Sequence, residues 1–264
     1  MSKGDQTYSV RTIEEAMAAL GVIETSLMRH ERDALDTYGY VILSDALAYD
    51  RLTALRHLFD EMNLKSQPQG TAQKETGTRH VKDLRREESI WKICLHPRIL
   101  AAAFHVLKRR FVCAIPHGRE PLPGFGQQGL HMDWRTGRIG DRYFVATAIC
   151  LLDDFTSENG ATRVVPGSHR HASFPLNRTM ADPSFVHRDQ VTVTAAAGSI
   201  LFFNGHLLHS GTRNASNLRR RAIQLSFTAQ DAFTDQELGL RNNDAGEFLG
   251  ADPAVRYVFG YSTD

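Results

Sequence analysis

Two histidines and an aspartate carry the chemistry this chain could perform. His131-Met-Asp133 sets an imidazole and a carboxylate two residues apart, so on an extended segment both side chains leave the same face. His209 lies 78 positions further on, far enough for intervening strands to bring it back beside the pair. Two histidines and one carboxylate with open coordination positions form the facial triad that suits non-haem Fe(II) and O2 activation.

Other residues compete for these places. His187-Arg-Asp189 repeats the pattern, but it follows Pro183 in a polar connection only 22 positions before His209. A Gly-rich loop, PGFGQQGL, precedes His131, where backbone can approach a ligand closely. On a strand His206 and His209 face opposite ways, so only one of them can serve. His209 runs into the turn Ser-Gly-Thr-Arg-Asn, which puts it at a strand end. His206 follows the turn pair Asn204-Gly205 and is expected to be a hydrogen-bonded structural histidine. Further on, Arg219-Arg220-Arg221 opens the strand AIQLSF. Such a run is either a solvated basic edge or something more selective. If Ile223, Leu225 and Phe227 face helices, Gln224 and Ser226 face inward and Arg220 joins them, where it could clamp a carboxylate.

The elements that must position these groups change character along the chain. The first third reads as helices with one strand. Thr12 with Glu15 is a capping-box pattern opening a helix. YGYVIL around Tyr38–Leu43 is a buried strand, and Leu52, Leu55, Phe59 and Met62 line a second helix. Residues 65–78 are a polar loop, and a third helix follows Pro97 towards Arg109. From about residue 111 short apolar runs alternate with Gly, Pro, Asn and Asp. That texture predicts a mainly β fold with flanking helices around a jelly-roll (double-stranded β-helix, cupin-like) core, in one domain over residues 1–264.

Composition narrows the setting. The chain has 264 residues, 42% of them hydrophobic, and 31 Lys plus Arg against 30 Asp plus Glu. This balance gives no reason to expect nucleic acid or a membrane surface as partner. Cys94, Cys113 and Cys150 are odd in number and widely spaced, which fits free thiols in a reducing cytoplasm. No apolar run near the N-terminus reads as a signal peptide, and none elsewhere is long enough to span a bilayer.

Three stretches carry a resemblance. GLHMDW surrounds the first ligand pair. LLDDFTSENGATRVVPGSH runs from Leu151 to His169. GSILFFNGHLLHSGTRNASNLRRRAIQLSF holds His209 and, eleven positions later, Arg220. In these the chain resembles the phytanoyl-CoA dioxygenase (PhyH) family of Fe(II)/2-oxoglutarate-dependent oxygenases. The resemblance implies Fe(II) on His131, Asp133 and His209, and 2-oxoglutarate with its far carboxylate on Arg220. It also implies cosubstrate contacts from Gln128 and Thr162. His169 in the PGSH stretch is a tempting ligand, but a structural turn histidine is expected there. Asp133 is intact, whereas related halogenases replace that carboxylate, so halogenation is not expected. The expected reaction is O2-dependent hydroxylation, or another oxidation, of a C–H bond in a small-molecule metabolite or natural-product intermediate. Trp134 is either a wall of the substrate pocket or core packing. Gly77–Arg86 is either a lid contributing His80 or a solvated basic helix face. The competing functions are a cupin-like metalloenzyme without redox chemistry and an inactive jelly-roll binding module.

Overall fold

A computed structural model describes residues 9–65, 77–82, 84, 87–114, 116–134, 139–171, 178–234 and 252–261. Thr12 caps α1 (Ile13–Ala19), and the Glu15 side chain returns to the Thr12 amide, completing the capping box. An unexpected helix, α2 (Arg29–Tyr38), ends at Gly39, whose φ of 82° is left-handed. A side chain at Gly39 would also run into the ring of His169. Then come β1 (Tyr40–Leu43) and α3 (Tyr49–Lys65), both as expected. Most of the expected polar loop, residues 66–76, lies outside the described residues.

The segment from Gly77 is corrected. Where a lid or a solvated basic helix face was expected, Thr78–Val81 is strand β2, paired with a later strand, β4. Its remainder at 83, 85 and 86 lies outside the described residues. Two helices follow, α4 (Glu88–Cys94) and α5 (Pro97–Leu107), and α5 is the helix expected after Pro97. The remaining strands are β3 (Phe111–Cys113), β4 (His117–Pro121), β5 (Val145–Leu151), β6 (Thr162–Val164), β7 (Val191–Thr192), β8 (Ile200–Asn204), β9 (His209–Gly211) and β10 (Ala222–Ala229). Helices α6 (Arg178–Ala181) and α7 (Pro253–Phe259) follow, and with short 3-10 turns these are the elements among the described residues.

The strands form two antiparallel sheets. The larger runs β1-β8-β5-β10-β4-β2 with β3 also on β10; the smaller runs β7-β6-β9. This is the expected jelly roll, left open, except that it does not start near residue 111: β1 and β2 from the N-terminal third belong to its large sheet. Strand alternation divides that sheet by face. Ala146, Ala148, Cys150, Phe202, Ile223, Leu225 and Phe227 point outward into one core with Leu55, Phe59, Ile90, Ile99 and Val258 of the helices. Ile149, Leu151, Leu201, Phe203 and Ala222 point inward to meet Val164 of the small sheet and Ala161 and Val193 next to its strands. No single helix among the described residues is long and apolar enough to cross a membrane, and α4 and α5 owe their apolar character to the outer core.

The arginine run shows the same division. Arg219 bonds Glu120 at 2.6 Å and Asp60 at 2.7 Å. Arg221 grips both oxygens of Asp153 at 2.9 and 2.8 Å and reaches Asp60 at 2.9 Å. Arg220 alone turns inward. Burial tends to raise the Asp153 carboxyl, but the hydrogen bonds from Arg221 outweigh it and hold it below the ordinary carboxylate range. Its stabilisation is therefore present above the unfolded-state pKa near 4 and is lost as pH falls through the lower folded value. Arg221→Met should cost about 1.5–3 kcal/mol in urea unfolding at pH 7. The gap between variant and wild type should shrink as the pH is lowered towards 3; a gap that is constant with pH would contradict this assignment.

Candidate metal centre

The two histidines meet through backbone. His131 and His209 form an isolated antiparallel bridge, N–H to O at 3.0 and 2.9 Å, with ring centroids 4.5 Å apart. Each Nδ1 lies against a main-chain carbonyl two residues earlier, Gly129 at 3.0 Å and Leu207 at 2.9 Å. Donation to those carbonyls places the proton on Nδ1 and leaves both Nε2 lone pairs for a ligand. Asp133 is set by its own amide, which donates to the Gly205 carbonyl at 2.8 Å. One carboxylate oxygen lies 3.5 Å from His209 Nε2, and the other accepts from the Thr147 hydroxyl at 2.6 Å.

The ligand atoms of His131, Asp133 and His209 all fall within 4.8 Å of one another, the one such group among the described residues. The titration of Asp133 and His131 suits a cation, while the Asp133 carboxylate outweighs burial and raises His209. Burial would raise the Asp133 carboxyl, but the neighbouring His209, the Thr147 hydroxyl and His131 reverse this and hold it at about 2. Burial, together with the charge of His209, pushes His131 down to about 4. At neutral pH the carboxylate is ionised and the His131 imidazole is neutral, the forms in which both bind metals.

A cavity leads from these histidines across the inner face of the large sheet, walled by Ile149, Phe203 and Gly211, to Arg220 and Thr162. Arg220 is only 3% exposed, with its guanidinium 4.2 Å over the Phe155 ring and Nη2 3.3 Å from the Thr162 hydroxyl. The Gln128 carbonyl oxygen accepts from Arg119 and from the Gly211 amide, both at 3.0 Å, which leaves its NH2 as the group able to donate to a ligand. A Cβ on Gly211 would come within 3.0 Å of the Gly126 carbonyl, so glycine keeps this wall thin. The structure therefore brings together His131, Asp133, His209, Arg220, Gln128 and Thr162.

The remaining sequence candidates fall elsewhere. Trp134 stacks on Phe144 with centroids 4.8 Å apart, in a small cluster with Val145 and Ala229, and does not line the cavity. His80 sits on β2 opposite Arg119, also outside the lining residues. His206 is buried and accepts from the Phe144 amide at 3.1 Å, and His169 is buried in a 3-10 turn, both structural as expected. His187 and Asp189 bond each other within their polar connection.

Three residues escaped the sequence reading. Thr147 orients Asp133, and Arg119 lines the cavity. Arg163 is buried and bonds Ser210 at 2.6 Å and the Gln128 carbonyl at 2.9 Å, tying the strand of His209 to the loop before His131. Only Arg163 had a signal, its place inside the NGATRVVPGSH stretch.

Thr147→Val should weaken divalent-metal binding about 10-fold by freeing the Asp133 carboxylate to turn. His206→Ala should lower stability by about 1–3 kcal/mol while keeping one metal per chain. Calorimetric metal titration of both variants checks the pair; the reverse pattern would reassign the ligand.

Residues 35–222 match the family described as phytanoyl-CoA dioxygenase (PhyH). Rv1501, an uncharacterised protein of Mycobacterium tuberculosis, is 27% identical over 210 residues, 75% of this chain and 74% of that protein. The multifunctional dioxygenase prhA of Penicillium brasilianum is 31% identical over 119 residues, 42% of this chain and 40% of that protein. HygX from Streptomyces hygroscopicus, solved with nickel, 2-oxoglutarate and hygromycin B bound, shares the fold. Its TM-score is 0.63 at 19% identity, over 77% of this chain and 88% of that one. With its signature stretches folded around one candidate metal centre, the chain belongs to the phytanoyl-CoA dioxygenase (PhyH) family.

Proposed function

We propose that the protein is an Fe(II)- and 2-oxoglutarate-dependent oxygenase that hydroxylates, or otherwise oxidises, a C–H bond of a small-molecule metabolite or natural-product intermediate. The carrying observation is the pairing of two features in one cavity. At one end two imidazoles and a carboxylate converge; at the other a buried arginine lies beside a hydroxyl. A cupin-like centre without redox chemistry has no use for that second end.

In this reading His131 and His209, through Nε2, and Asp133 hold Fe(II), a donor set that leaves coordination positions open. Bound Fe(II) supplies O2 activation coupled to decarboxylation of 2-oxoglutarate to succinate and CO2. The protein's own residues bind and orient. Arg220 neutralises the far carboxylate with a planar fork, and Thr162 and the Gln128 amide add donors. Ile149 and Phe203 exclude water from the span between. HygX, whose structure holds nickel, 2-oxoglutarate and hygromycin B, supports a small-molecule substrate. The retained Asp133 carboxylate speaks against halogenation. The three cysteines are buried thiols, in keeping with a reducing cytoplasm.

Adding Fe(II) and then 2-oxoglutarate without oxygen should give a weak visible charge-transfer band. Arg220→Ala should raise the cosubstrate concentration needed for that band about 100-fold, the loss of a buried charge-assisted pair. Iron bound tightly with no band in well-folded protein would reject the oxygenase reading.

A further inference from the structure

The inner face of the large sheet continues past the cosubstrate cavity. Resting on the oxygenase reading above, we propose that His117, Gln224 and Ser226 form the subsite for the organic substrate, a small molecule recognised through its hydroxyl groups. On β10 the residues Ile223, Leu225 and Phe227 are buried in the outer core, so Gln224 and Ser226 face inward. His117 stands opposite Gln224 on β4 and shares its face. Gly118 fixes that direction, since a Cβ there would come within 2.6 Å of the Phe59 ring in the outer core. Ser226 stands opposite Thr147, whose hydroxyl holds the Asp133 carboxylate. The row thus leads from the cavity wall at Gln224 to the support of a metal ligand.

Access and chemistry both favour this row. In the oxygenase reading 2-oxoglutarate fills the span from the triad to Arg220, and that cavity is lined by Gln224 but not by His117 or Ser226. Behind the triad the way is closed: Leu130, Met132 and Leu208, which alternate with the ligands, pack with Val165 and Phe185. His117, Gln224 and Ser226 are instead half-buried, and none of their side chains has a hydrogen bond to another described residue. An apolar molecule laid over them would strip their water and return no partner. Burial, helped by the charges of His80 and Arg119 and opposed by Asp133, pushes the His117 imidazole down to about 4. A neutral imidazole, an amide and a hydroxyl each donate and accept, which is what a hydroxyl group needs from its neighbours.

The test loads the protein with Mn(II) and saturating 2-oxoglutarate and measures paramagnetic relaxation of the protons of myo-inositol. Tetrahydropyran serves as the ring without hydroxyls. Myo-inositol should be relaxed, saturably, and tetrahydropyran should not. His117→Phe and Ser226→Ala should each raise the myo-inositol concentration needed about 10-fold. Both should keep Mn(II) and 2-oxoglutarate affinity within about twofold, which separates recognition from support of the metal centre. His117→Gln retains a donor and an acceptor; it should bind myo-inositol at intermediate strength, and it serves if the Phe variant does not fold. Equal relaxation of the two rings, no relaxation of either, or unchanged myo-inositol binding in the variants would overturn the proposal. So would a parallel loss of Mn(II) or 2-oxoglutarate affinity, which would make the row only a support for the centre. Absence of the charge-transfer band in wild type with Fe(II) and 2-oxoglutarate marks the separate failure of the oxygenase reading.

Discussion

The backbone bridge between His131 and His209 is the constraint on which the site depends. Two main-chain hydrogen bonds join residues 78 positions apart and set their rings side by side. The bridge alone would leave the rings free to turn. The carbonyls of Gly129 and Leu207 fix each at Nδ1, so both Nε2 atoms are left for one ion. Asp133 joins from the same segment, held by Gly205 through its amide and by Thr147 through its carboxylate. Arg163 supports the arrangement from behind, linking the strand of His209 to the loop that leads into His131.

The large sheet separates two chemistries. Its outer face is sealed by helices with a continuous apolar core, which supplies most of the burial available to the chain. Its inner face is apolar near β1, β5 and β8 and turns polar towards β10, β4 and β2. Strand β10 carries both characters at once, and the three consecutive arginines that lead into it have different fates because the extended chain sends them to alternate faces. Arg219 and Arg221 tie the sheet to Glu120, Asp153 and Asp60, whereas Arg220 is buried over the Phe155 ring beside the Thr162 hydroxyl.

Much of this was legible in the residues, for identifiable reasons. The His-x-Asp pair and the distal histidine could be chosen from turn residues and spacing, and the alternation of AIQLSF selected Arg220. Gln128 and Thr162 needed the family resemblance, since a polar residue in a loop carries no direction. Strands β2 and β4 were hidden because TRHV is short and mostly polar and HGREP is polar and interrupted by glycine; their pairing with each other, and of β4 with β10, makes them strands. Helix α2 was hidden by its charge, with only Glu31 and Leu35 buried along it. Arg119 and Thr147 were invisible for a deeper reason. Their roles come from the cross-strand partners Ala222 and Ser226, and register is a property of the folded sheet.

The central claim is that one cavity holds a metal at one end and a dicarboxylate along its length. A crystal structure of the protein with Mn(II) in place of Fe(II) and with 2-oxoglutarate tests it most directly. The account predicts manganese on His131 Nε2, His209 Nε2 and Asp133, chelated by the keto acid, with the far carboxylate on Arg220. Manganese at His187 and Asp189, or a 2-oxoglutarate bound away from Arg220, would contradict it.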